Sequence, residues 1–484
     1  MVMSLNVILQ LKLSNRPGTL ARVLGVIAEE GGSLGSIDLV SASSTHVIRE
    51  LMVRLNNRDH IGDLVKVLDG LSGVEVIRVK DRVFLKHLGG KIEIKAKRDV
   101  ANREDLSLVY TPGVAKVSEV IAREPELAHR LTMKGNSVAI VTDGSAVLGL
   151  GNIGPEGALP VMEGKSVLFK KFAGIDAIPL CLSVQGTKQI INSVVAAAPS
   201  FGGINLEDIA APKCFEIEEK LRNLLDIPVF HDDQHGTAIV SLAGLTNALR
   251  VVDRRLDNVK IVMSGAGAAG VAITKILLSA GAKQIIVCDS KGAIARDKPP
   301  GAPHKKWLAE NTNENCAHGS LKEVIAGADV FIGVSGPGLL HREDILKMAA
   351  SPVIFALANP EPEVNPEEIY DIAGVIATGR SDYPNQINNV LAFPGVFRGA
   401  LDCHARTIND DMCLAAAWAL GETITGDQLS AENIIPSVFN EGVSSAVARA
   451  VAEAAKFTGV SRRYLYEEAN KGGLLYSTIK DTMT

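Results

Sequence analysis

Apolar residues in the first 85 positions follow two spacings, one helical and one of strands. Two sets of residues have the i, i+3, i+4, i+7 spacing that gives a helix a single buried stripe. They are Leu20, Val23, Leu24 and Ile27, and Ile61, Leu64, Val65 and Leu68. Strands are predicted at residues 7–13, 36–41, 46–55 and 74–79. The resulting order β-α-β-β-α-β is the plan of a ferredoxin-like domain.

After a charged connector at residues 86–105, short apolar strands alternate with helical segments along the rest of the chain. Strands are predicted at residues 138–141, 177–182, 228–230, 261–263, 285–288, 330–334, 353–356 and 375–377. A helix is predicted at residues 212–225. Alternation of this kind favours parallel sheets covered by helices, so the fold class is α/β.

One of these strands leads into a glycine-rich turn with the pattern Gly-x-Gly-x-x-Gly, formed by Gly265, Gly267 and Gly270. An apolar helix at residues 271–278 follows, and its free N–H groups are suited to a pyrophosphate. The next strand ends at Asp289, about 20 residues later, where an acid binds ribose hydroxyls in dinucleotide-binding domains. The sequence therefore predicts a Rossmann-type domain for NAD or NADP.

The choice between the two cofactors stays open at this stage. Asp289 favours NAD, whereas Ser290 and Lys291 directly after it would tolerate a 2′-phosphate. Residues 293–319 are predicted to be a loop near the adenosine end of the cofactor, with a short helix close to Trp307.

Two residues of this loop, His304 and Lys305, are candidates for sensing a 2′-phosphate. The preferred interpretation is that both are solvated side chains of a polar loop without a role in cofactor binding. The loop is rich in Pro, Lys, His and Asn and has no clear periodicity.

Composition excludes several classes of protein. With 50 Lys and Arg against 55 Asp and Glu, the net charge is −5, which gives no general attraction to nucleic acid or to an anionic membrane. The six cysteines form no Cys-x-x-Cys pair, so neither a disulfide framework nor a zinc site is predicted. The first residues lack the pattern of a signal peptide, and the apolar stretch 261–282 is explained by the glycine turn and its helix. We expect a cytoplasmic protein with neither a nucleic-acid nor a membrane partner.

Two acidic pairs stand at strand-to-helix boundaries and are candidates for a metal site. Glu207 and Asp208 follow an apolar segment, and Asp232 and Asp233 follow the strand at 228–230. Three converging carboxylates would suit Mg²⁺ or Mn²⁺, which prefer oxygen ligands. Acidic pairs at strand ends are more often helix caps or solvated loops, so the pairs alone do not establish a metal.

Eight motifs over residues 90–455 resemble the malic enzyme family and occur in the order of that family. They are Tyr110-Thr-Pro-Gly-Val-Ala, Val141-Thr-Asp-Gly, Leu148-Gly-Leu-Gly-Asn-Ile-Gly, Val161-Met-Glu-Gly-Lys165, Leu206-Glu-Asp208, His231-Asp-Asp-Gln-His-Gly-Thr-Ala, Phe355-Ala-Leu-Ala-Asn-Pro360 and Asn388-Asn-Val-Leu-Ala-Phe-Pro-Gly395. Residues 5–85 resemble an ACT domain, a regulatory module that often binds amino acids, most clearly at the turn Asn15-Arg-Pro-Gly-Thr19.

The resemblance implies a division of the chain into four parts. These are an ACT domain at 1–85, a malic enzyme N-terminal α/β domain at 90–235, a Rossmann-type NAD(P)-binding domain at 236–460, and a C-terminal tail at 461–484. It also implies a homodimer or larger homo-oligomer, with an amino acid or related metabolite as an effector at the ACT domain. The alternative, that the ACT domain serves only in dimerisation, stays open.

The resemblance further implies the oxidative decarboxylation of malate to pyruvate and CO₂, with NAD or NADP and with Mg²⁺ or Mn²⁺. It assigns the base to Lys165, the acid that protonates the enol to Tyr110, and a proton-relay or supporting role to Asp232. Metal ligands would be Glu207, Asp208 and Asp233. Cofactor contacts would include Asn359 and Asn389, and substrate contacts would include Asn388 and Asn389.

Several points stay open within this resemblance. Lys170 and Lys171 compete with Lys165 for the role of base, and burial beside a metal cation would depress the pKa of Lys165 toward neutrality. Ala146 stands where larger family members have an arginine that binds a malate carboxylate, so another group must make that contact. The alternatives are a metal-free NAD(P)-linked dehydrogenase, and an ACT-based sensor with an inactive catalytic body.

Overall fold

The computed structural model describes residues 5–55, 60–147, 149–184 and 186–462. The chain forms two compact units, Met1–Glu93 and Ile94–Thr484. Leu148 of the third motif and nearly all of the predicted tail at 461–484 lie outside the described residues. The further division of the second unit at residues 235 and 236 stays a prediction.

The first unit is a four-stranded antiparallel sheet with helices, as the spacing of its apolar residues predicts. Its strands and helices are β1 Leu5–Ser14, α1 Thr19–Glu29, β2 Ser33–Ala42, β3 His46–Leu55, α2 His60–Asp69, β4 Val74–Asp81 and α3 Arg82–His87. The strand order is β2-β3-β1-β4, and β1 pairs with β3 so that Leu9 lies opposite Leu51. Leu9, Val23, Leu51 and Leu64 are fully buried in one core, which confirms the predicted stripes.

The second unit begins with helices and a four-stranded parallel sheet. These elements are α4 Arg103–Val109, α5 Val114–Arg123, α6 Ala128–Leu131, β5 Ser137–Thr142, α7 Gly154–Ala173, β6 Asp176–Cys181, α8 Thr187–Ala197, β7 Gly203–Leu206, α9 Lys213–Leu224 and β8 Val229–His231. The strand order is β6-β5-β7-β8, and Leu206 at the end of β7 pairs with His231 at the end of β8. The residues that follow these two strands therefore emerge side by side.

A six-stranded sheet follows in the same unit. Its elements are α10 Thr237–Val251, β9 Lys260–Ser264, α11 Ala268–Ser279, β10 Gln284–Asp289, β11 Gly292–Ala293, α12 Pro303–Asn311, α13 Leu321–Val324, β12 Val330–Gly333, α14 Arg342–Ile345, β13 Val353–Ala356, β14 Val375–Thr378, α15 Phe393–Asp402, α16 Asp410–Glu422 and α17 Gly442–Phe457. The strand order is β11-β10-β9-β12-β13-β14. All pairs are parallel except that of the short β11 with β10.

Both sheets of the second unit contribute to one hydrophobic core. Phe169 of α7 packs against Phe393 and Phe397 of α15, with ring centroids 4.7 and 5.4 Å apart, and Phe397 also contacts Phe230 of β8. The same core includes Ile261 of β9. The end of β8 is therefore held in a fixed position by side chains from both sides of the predicted boundary.

The predicted strands are confirmed, with shifts of one or a few residues at their ends. The short helix near Trp307 is confirmed as α12, whereas the 20-residue helix α7 was not predicted because Pro160 and several glycines obscure its periodicity. The apolar stretch at 261–282 divides into β9 and α11, as expected. Within the described ranges, every helix is too short or too polar to traverse a lipid bilayer.

Candidate active site

Three carboxylates meet where β7 and β8 end. Glu207 and Asp208 follow β7, Asp233 lies two residues beyond the end of β8, and a ligand atom from each is within 4.8 Å of the other two. The backbone N–H of Asp208 donates to Oδ2 of Asp233 at 2.9 Å. Asp208 has φ 52°, a left-handed conformation that is uncommon for residues other than glycine and that recurs at functional sites. The predicted convergence of the two acidic pairs is thus present in the fold.

Lys165 extends from α7 into this carboxylate cluster. Its ammonium donates to Oε2 of Glu207 and, at 2.5 Å, to Oδ2 of Asp232, and it lies 4.5 Å from the centroid of the Phe393 ring. Only 7% of the Lys165 side chain is exposed. Lys170 is exposed and pairs with Asp176 instead. The burial of Lys165 therefore distinguishes it from the lysine that follows it five residues later.

The pKa of Lys165 in the chain itself is set by opposing effects, and its depression beside a bound metal cation stays a prediction. Desolvation does lower the pKa of Lys165, but Asp232 and then Glu207 and Asp233 raise it further than desolvation lowers it. The ammonium faces these carboxylates without a second cation beside it. Since the charged form is favoured by opposite charges, the structure holds Lys165 protonated.

Two of these carboxylates, Glu207 and Asp208, resist ionisation. Burial raises the pKa of Glu207 well above its usual value, although Lys165 opposes that shift, and burial with the charge of Asp233 raises the pKa of Asp208 to about 7. Oδ2 of Asp208 and Oδ1 of Asp232 are buried without a hydrogen-bond partner. Buried oxygens of this kind need a positive partner, so the residues fit a hard divalent cation.

The turn that carries Asp232 and Asp233 is a π-helical segment, Asp232–Gly236, at the start of α10. A Cβ atom on Gly236 would lie 1.9 Å from Oδ1 of Asp232, so any other residue at this position would displace the Asp232 carboxylate. Such π-helical turns are rare and occur often at functional sites. The polar Asp-Asp-Gln-His-Gly sequence gave no indication of this geometry.

Asn389 is hydrogen-bonded to the cluster, whereas Asn388 and Asn359 have other surroundings in the described part of the chain. The Asn389 amide donates to Oδ2 of Asp232 at 3.2 Å, and its oxygen accepts from the Thr237 hydroxyl at 3.2 Å. Asn388 instead accepts from the backbone N–H of Val390 at 3.0 Å, as the cap of a short helical turn. Asn359 is half-buried near the beginning of the loop after β13.

Asn205 is a contact that the sequence did not predict. Its amide donates to Oε2 of Glu207 at 2.9 Å, so this oxygen accepts from both Asn205 and Lys165. Asn205 is fully buried within β7. The sequence did contain one indication of this contact, since Asn205 is a polar residue between the apolar residues Ile204 and Leu206 of β7.

The glycine turn after β9 has the shape predicted for a pyrophosphate site. Gly265 has φ 119°, and a Cβ on Gly270 would lie 1.9 Å from the carbonyl oxygen of Gly265, so both positions require glycine for the fold itself. A Cβ on Gly267 would meet no atom within 4 Å. Gly267 therefore leaves open the space that a phosphate group needs to approach the backbone.

At the end of β10, Asp289 accepts from the Lys305 ammonium at 2.6 Å and from the Lys291 backbone N–H at 2.8 Å. Burial alone would raise the pKa of Asp289, but these bonds lower it, so the carboxylate is ionised. The preferred interpretation of Lys305 as a solvated loop residue is wrong, because α12 directs it onto Asp289 and leaves 28% of its side chain exposed.

Tyr110 is not brought to the carboxylate cluster of its own chain. Its side chain is 66% exposed and makes no hydrogen bond within the described part of the chain. It ends α4, and neither α4 nor the following α5 contains a buried residue. The role of Tyr110 as an acid stays a prediction.

Comparison with known proteins follows the same divisions of the chain. The sequence model named "Malic enzyme, N-terminal domain" matches residues 89–222, and that named "Malic enzyme, NAD binding domain" matches residues 234–456. A curated NAD-dependent malic enzyme from Geobacillus stearothermophilus is 54% identical over 460 residues, which cover 95% of this chain and 96% of that protein. The chain belongs to the malic enzyme family. An ACT domain model matches residues 3–78 of this family member.

Other malic enzymes resemble the chain over its larger unit. A bifunctional malic/malolactic enzyme from Bacillus subtilis is 55% identical over 77% of this chain and 92% of that protein. An NADP-dependent malic enzyme from Escherichia coli is 47% identical over 77% of this chain and 51% of that protein. The crystal structure of an NAD-dependent malic enzyme from Thermotoga maritima superposes with a TM-score of 0.75 at 47% identity, covering 77% of this chain and 99% of that one. The fold and the nicotinamide-binding domain of a malic enzyme are thereby confirmed.

Alanine substitutions at two glycines of the nucleotide turn, Gly267 and Gly270, should have different effects on this malic enzyme. Gly267→Ala should leave the melting temperature unchanged and raise the Kd for NAD, because its methyl group occupies only the space for the phosphate. Gly270→Ala should lower the free energy of unfolding by about 1–3 kcal/mol, because its methyl group overlaps a backbone oxygen. Calorimetry of both variants, with and without NAD, checks this, and normal NAD binding by Gly267→Ala would contradict it.

Proposed function

We propose that this malic enzyme converts malate to pyruvate and CO₂ with NAD as its preferred cofactor and with Mg²⁺ or Mn²⁺ at Glu207, Asp208 and Asp233. The single observation that carries the proposal is the buried Lys165 ammonium, bonded to Glu207 and Asp232 beside the other two carboxylates. An amino-acid dehydrogenase site without a metal would not need three converging acids, one of which, Asp208, has a buried oxygen without a hydrogen-bond partner.

The proposed residues divide the reaction into three transfers. Lys165, as the free amine, accepts the proton of the malate C2 hydroxyl while hydride leaves C2 for the nicotinamide. The β-keto acid then loses its distal carboxylate as CO₂, and a phenol proton from Tyr110 is delivered to the carbon that carried it. Asp232, bonded to Lys165 at 2.5 Å, is placed to receive and return the lysine proton.

A divalent cation, when bound, supplies the Lewis-acid stabilisation of negative charge on the substrate oxygen that decarboxylation requires. Desolvation lowers the pKa of Lys165, whereas Asp232 and two of the acids that would hold the cation, Glu207 and Asp233, raise it. Positive charge at Glu207, Asp208 and Asp233 offsets their effect on the lysine. The requirement for a neutral amine and the requirement for a cation are therefore linked through one set of acids.

Removal of divalent cations is the direct test of the proposed activity. Malate-dependent appearance of NADH should disappear after dialysis against EDTA and return with Mn²⁺ or Mg²⁺. Absorbance at the nicotinamide wavelength and an assay for pyruvate measure the two products. Full activity in EDTA would indicate a metal-free dehydrogenase. If neither metal supported malate-dependent reduction of NAD, the catalytic domains would be inactive and the ACT-based sensor would be favoured.

We propose a homodimer in which Tyr110 serves the site of the other subunit. Apolar side chains of Leu106, Leu108, Val114 and Val117 are exposed around Tyr110 on α4 and α5. Exposed apolar surface that surrounds an unpartnered phenol is typical of an interface between chains. A second copy of this chain is the partner that accounts for both the apolar surface and the exposure of Tyr110.

Mixing two inactive variants tests the residue roles and the dimer together. Lys165→Ala and Tyr110→Phe should each lack malate oxidation or pyruvate formation, because each lacks one proton-transfer group. After unfolding and refolding as an equal mixture, about one quarter of the wild-type activity should return, since half of the dimers would regain one complete site.

The control for this mixture is Lys170→Ala, which removes an exposed lysine of the same helix and should retain full activity. No recovery in the mixture would place Tyr110 and Lys165 in one subunit. Near-normal turnover of Lys165→Ala alone would remove its assignment as the base.

The preference for NAD is proposed from Asp289 and supported by the NAD-dependent relative that matches nearly the whole chain. An ionised carboxylate can accept hydrogen bonds from ribose hydroxyls and repels a 2′-phosphate. Asp289→Ser should lower the ratio of kcat/KM for NAD to that for NADP by about tenfold or more, since a hydrogen bond to a charged group is worth about 1.5–3 kcal/mol. It also frees Lys305 from its carboxylate partner.

Steady-state kinetics with both cofactors measure this ratio. Asp297→Ser is the control, because Asp297 pairs with His318 on the exposed surface of the same region. An unchanged ratio in Asp289→Ser would contradict the proposed role.

The ACT domain is proposed to bind an amino acid or related metabolite at the turn Asn15–Thr19. This turn is fixed to the loop before β3, since the Asn15 amide donates to the carbonyl of Ser43 at 2.8 Å. Gly18, with φ 86°, is exposed and directly precedes α1, and the N–H groups of the first turn of a helix are suited to a carboxylate.

An effector panel on the full chain tests this proposal. At least one of the common amino acids should change kcat or KM for malate, and Gly18→Asp should abolish that change by repelling the carboxylate. Gly31→Asp is the control, because Gly31 also has a positive φ of 72° with open space around it and lies at the other end of α1. The absence of any kinetic change across the panel would remove the proposal.

A further inference from the structure

Glu218 is a buried carboxylate outside the predicted site. It lies on α9 with 6% of its surface exposed, and its two oxygens accept three hydrogen bonds. Oε1 accepts from the His231 backbone N–H at 3.1 Å and from Nε2 of His235 at 2.8 Å, and Oε2 accepts from the Gln234 amide at 3.0 Å. All three donors belong to the end of β8 or to the π-helical turn that follows it.

The turn Asp232–Gly236 therefore has two sides with different partners. Its first two residues, Asp232 and Asp233, belong to the carboxylate cluster with Lys165. Its next two residues, Gln234 and His235, are bonded to Glu218. Because the turn has only five residues, movement of one side would displace the other.

We propose that Glu218 is a positioning residue that fixes the turn so that Asp233 is directed toward Glu207 and Asp208. This inference rests on the proposed metal site and extends it to a residue that would not touch the cation. A hydrogen-bonding group behind a metal ligand orients the ligand and reduces the reorganisation that binding requires.

The chemistry of the contact requires a carboxylate rather than an amide. Three donors converge on Glu218, and a carboxylate offers two acceptor oxygens, whereas a glutamine offers one oxygen and places an NH₂ group against donors. Burial would raise the pKa of Glu218, but His235 lowers it to about 2, so the carboxylate is ionised. Glu218→Gln consequently removes at least one bond to the turn and introduces a donor against a donor.

The surroundings allow the turn to shift without unfolding the protein. Glu218, Gln234 and His235 line a cavity of about 740 Å³, together with residues of α11 and α16. Water can enter such a polar cavity and replace the bonds that the substitution removes. The expected consequence is therefore a displaced turn rather than a lost core.

The test is a titration of the full chain with Mn²⁺ alone, in which electron paramagnetic resonance measures the free ion. Glu218→Gln should raise the Kd for Mn²⁺ by about 10- to 100-fold, the usual effect of losing a group behind a metal ligand. Its melting temperature and its Kd for NAD should stay near those of the wild type. Glu219→Gln, which changes the exposed neighbour on the same helix, should bind Mn²⁺ normally.

Asp233→Asn separates this inference from the proposed metal site. If Asp233→Asn loses Mn²⁺ and Glu218→Gln binds it with the wild-type Kd, the positioning role is overturned and the metal site stands. If Asp233→Asn itself binds Mn²⁺ normally, the metal site is wrong and the inference falls with it. Equal weakening of Mn²⁺ and NAD binding in Glu218→Gln would indicate a general structural role and would also overturn the proposal.

Gln234→Leu keeps the test decisive if Glu218→Gln does not fold. It removes one of the three donors and leaves the Glu218 charge in place, so it should weaken Mn²⁺ binding by a smaller factor. A wild-type Kd for Mn²⁺ in a folded Gln234→Leu variant would then count against the positioning role.

Discussion

The arrangement of the site depends on one buried electrostatic contact, between the Lys165 ammonium and the carboxylates at the ends of β7 and β8. A lone ammonium or a lone carboxylate at this depth would lose several kcal/mol of hydration, so neither group would stay charged there without the other. The contact also joins three separate parts of the chain, because Lys165 lies on α7, Glu207 follows β7 and Asp232 follows β8. The proposed base Lys165, the proposed relay Asp232 and the proposed metal ligand Glu207 all take part in this contact.

Much of this arrangement was predictable because it follows from local rules. Parallel neighbouring strands bring their carboxyl ends to the same edge, so the acidic pairs after β7 and β8 could be expected to meet once the strands were recognised. The glycine turn carries its own pattern, and the structure explains why Gly265 and Gly270 are required. The four-stranded first unit followed from apolar spacing alone.

Other features depend on packing that no local pattern reveals. The helix that presents Lys165 contains Pro160, so its apolar spacing is irregular and the lysine could be assigned only through its motif. Glu218 resembles any acid on an amphipathic helix until the turn after β8 is in place. The raised pKa of Lys165 in the chain itself could not be read from the sequence, because it depends on how many carboxylates converge and not on burial alone.

The aromatic contacts between α7, β8 and α15 set a limit on how this protein can be recombined with its relatives. Phe169 and Phe230 come from the part of the chain before the nucleotide-binding domain, and Phe397 comes from beyond its last strand, yet their rings pack together. A chimera that takes one of the two sheets from a relative would combine core side chains from two different proteins. These side chains would not have evolved to pack against each other. Exchange of cofactor preference between relatives is therefore better attempted through single side chains such as Asp289 than through transfer of a whole domain.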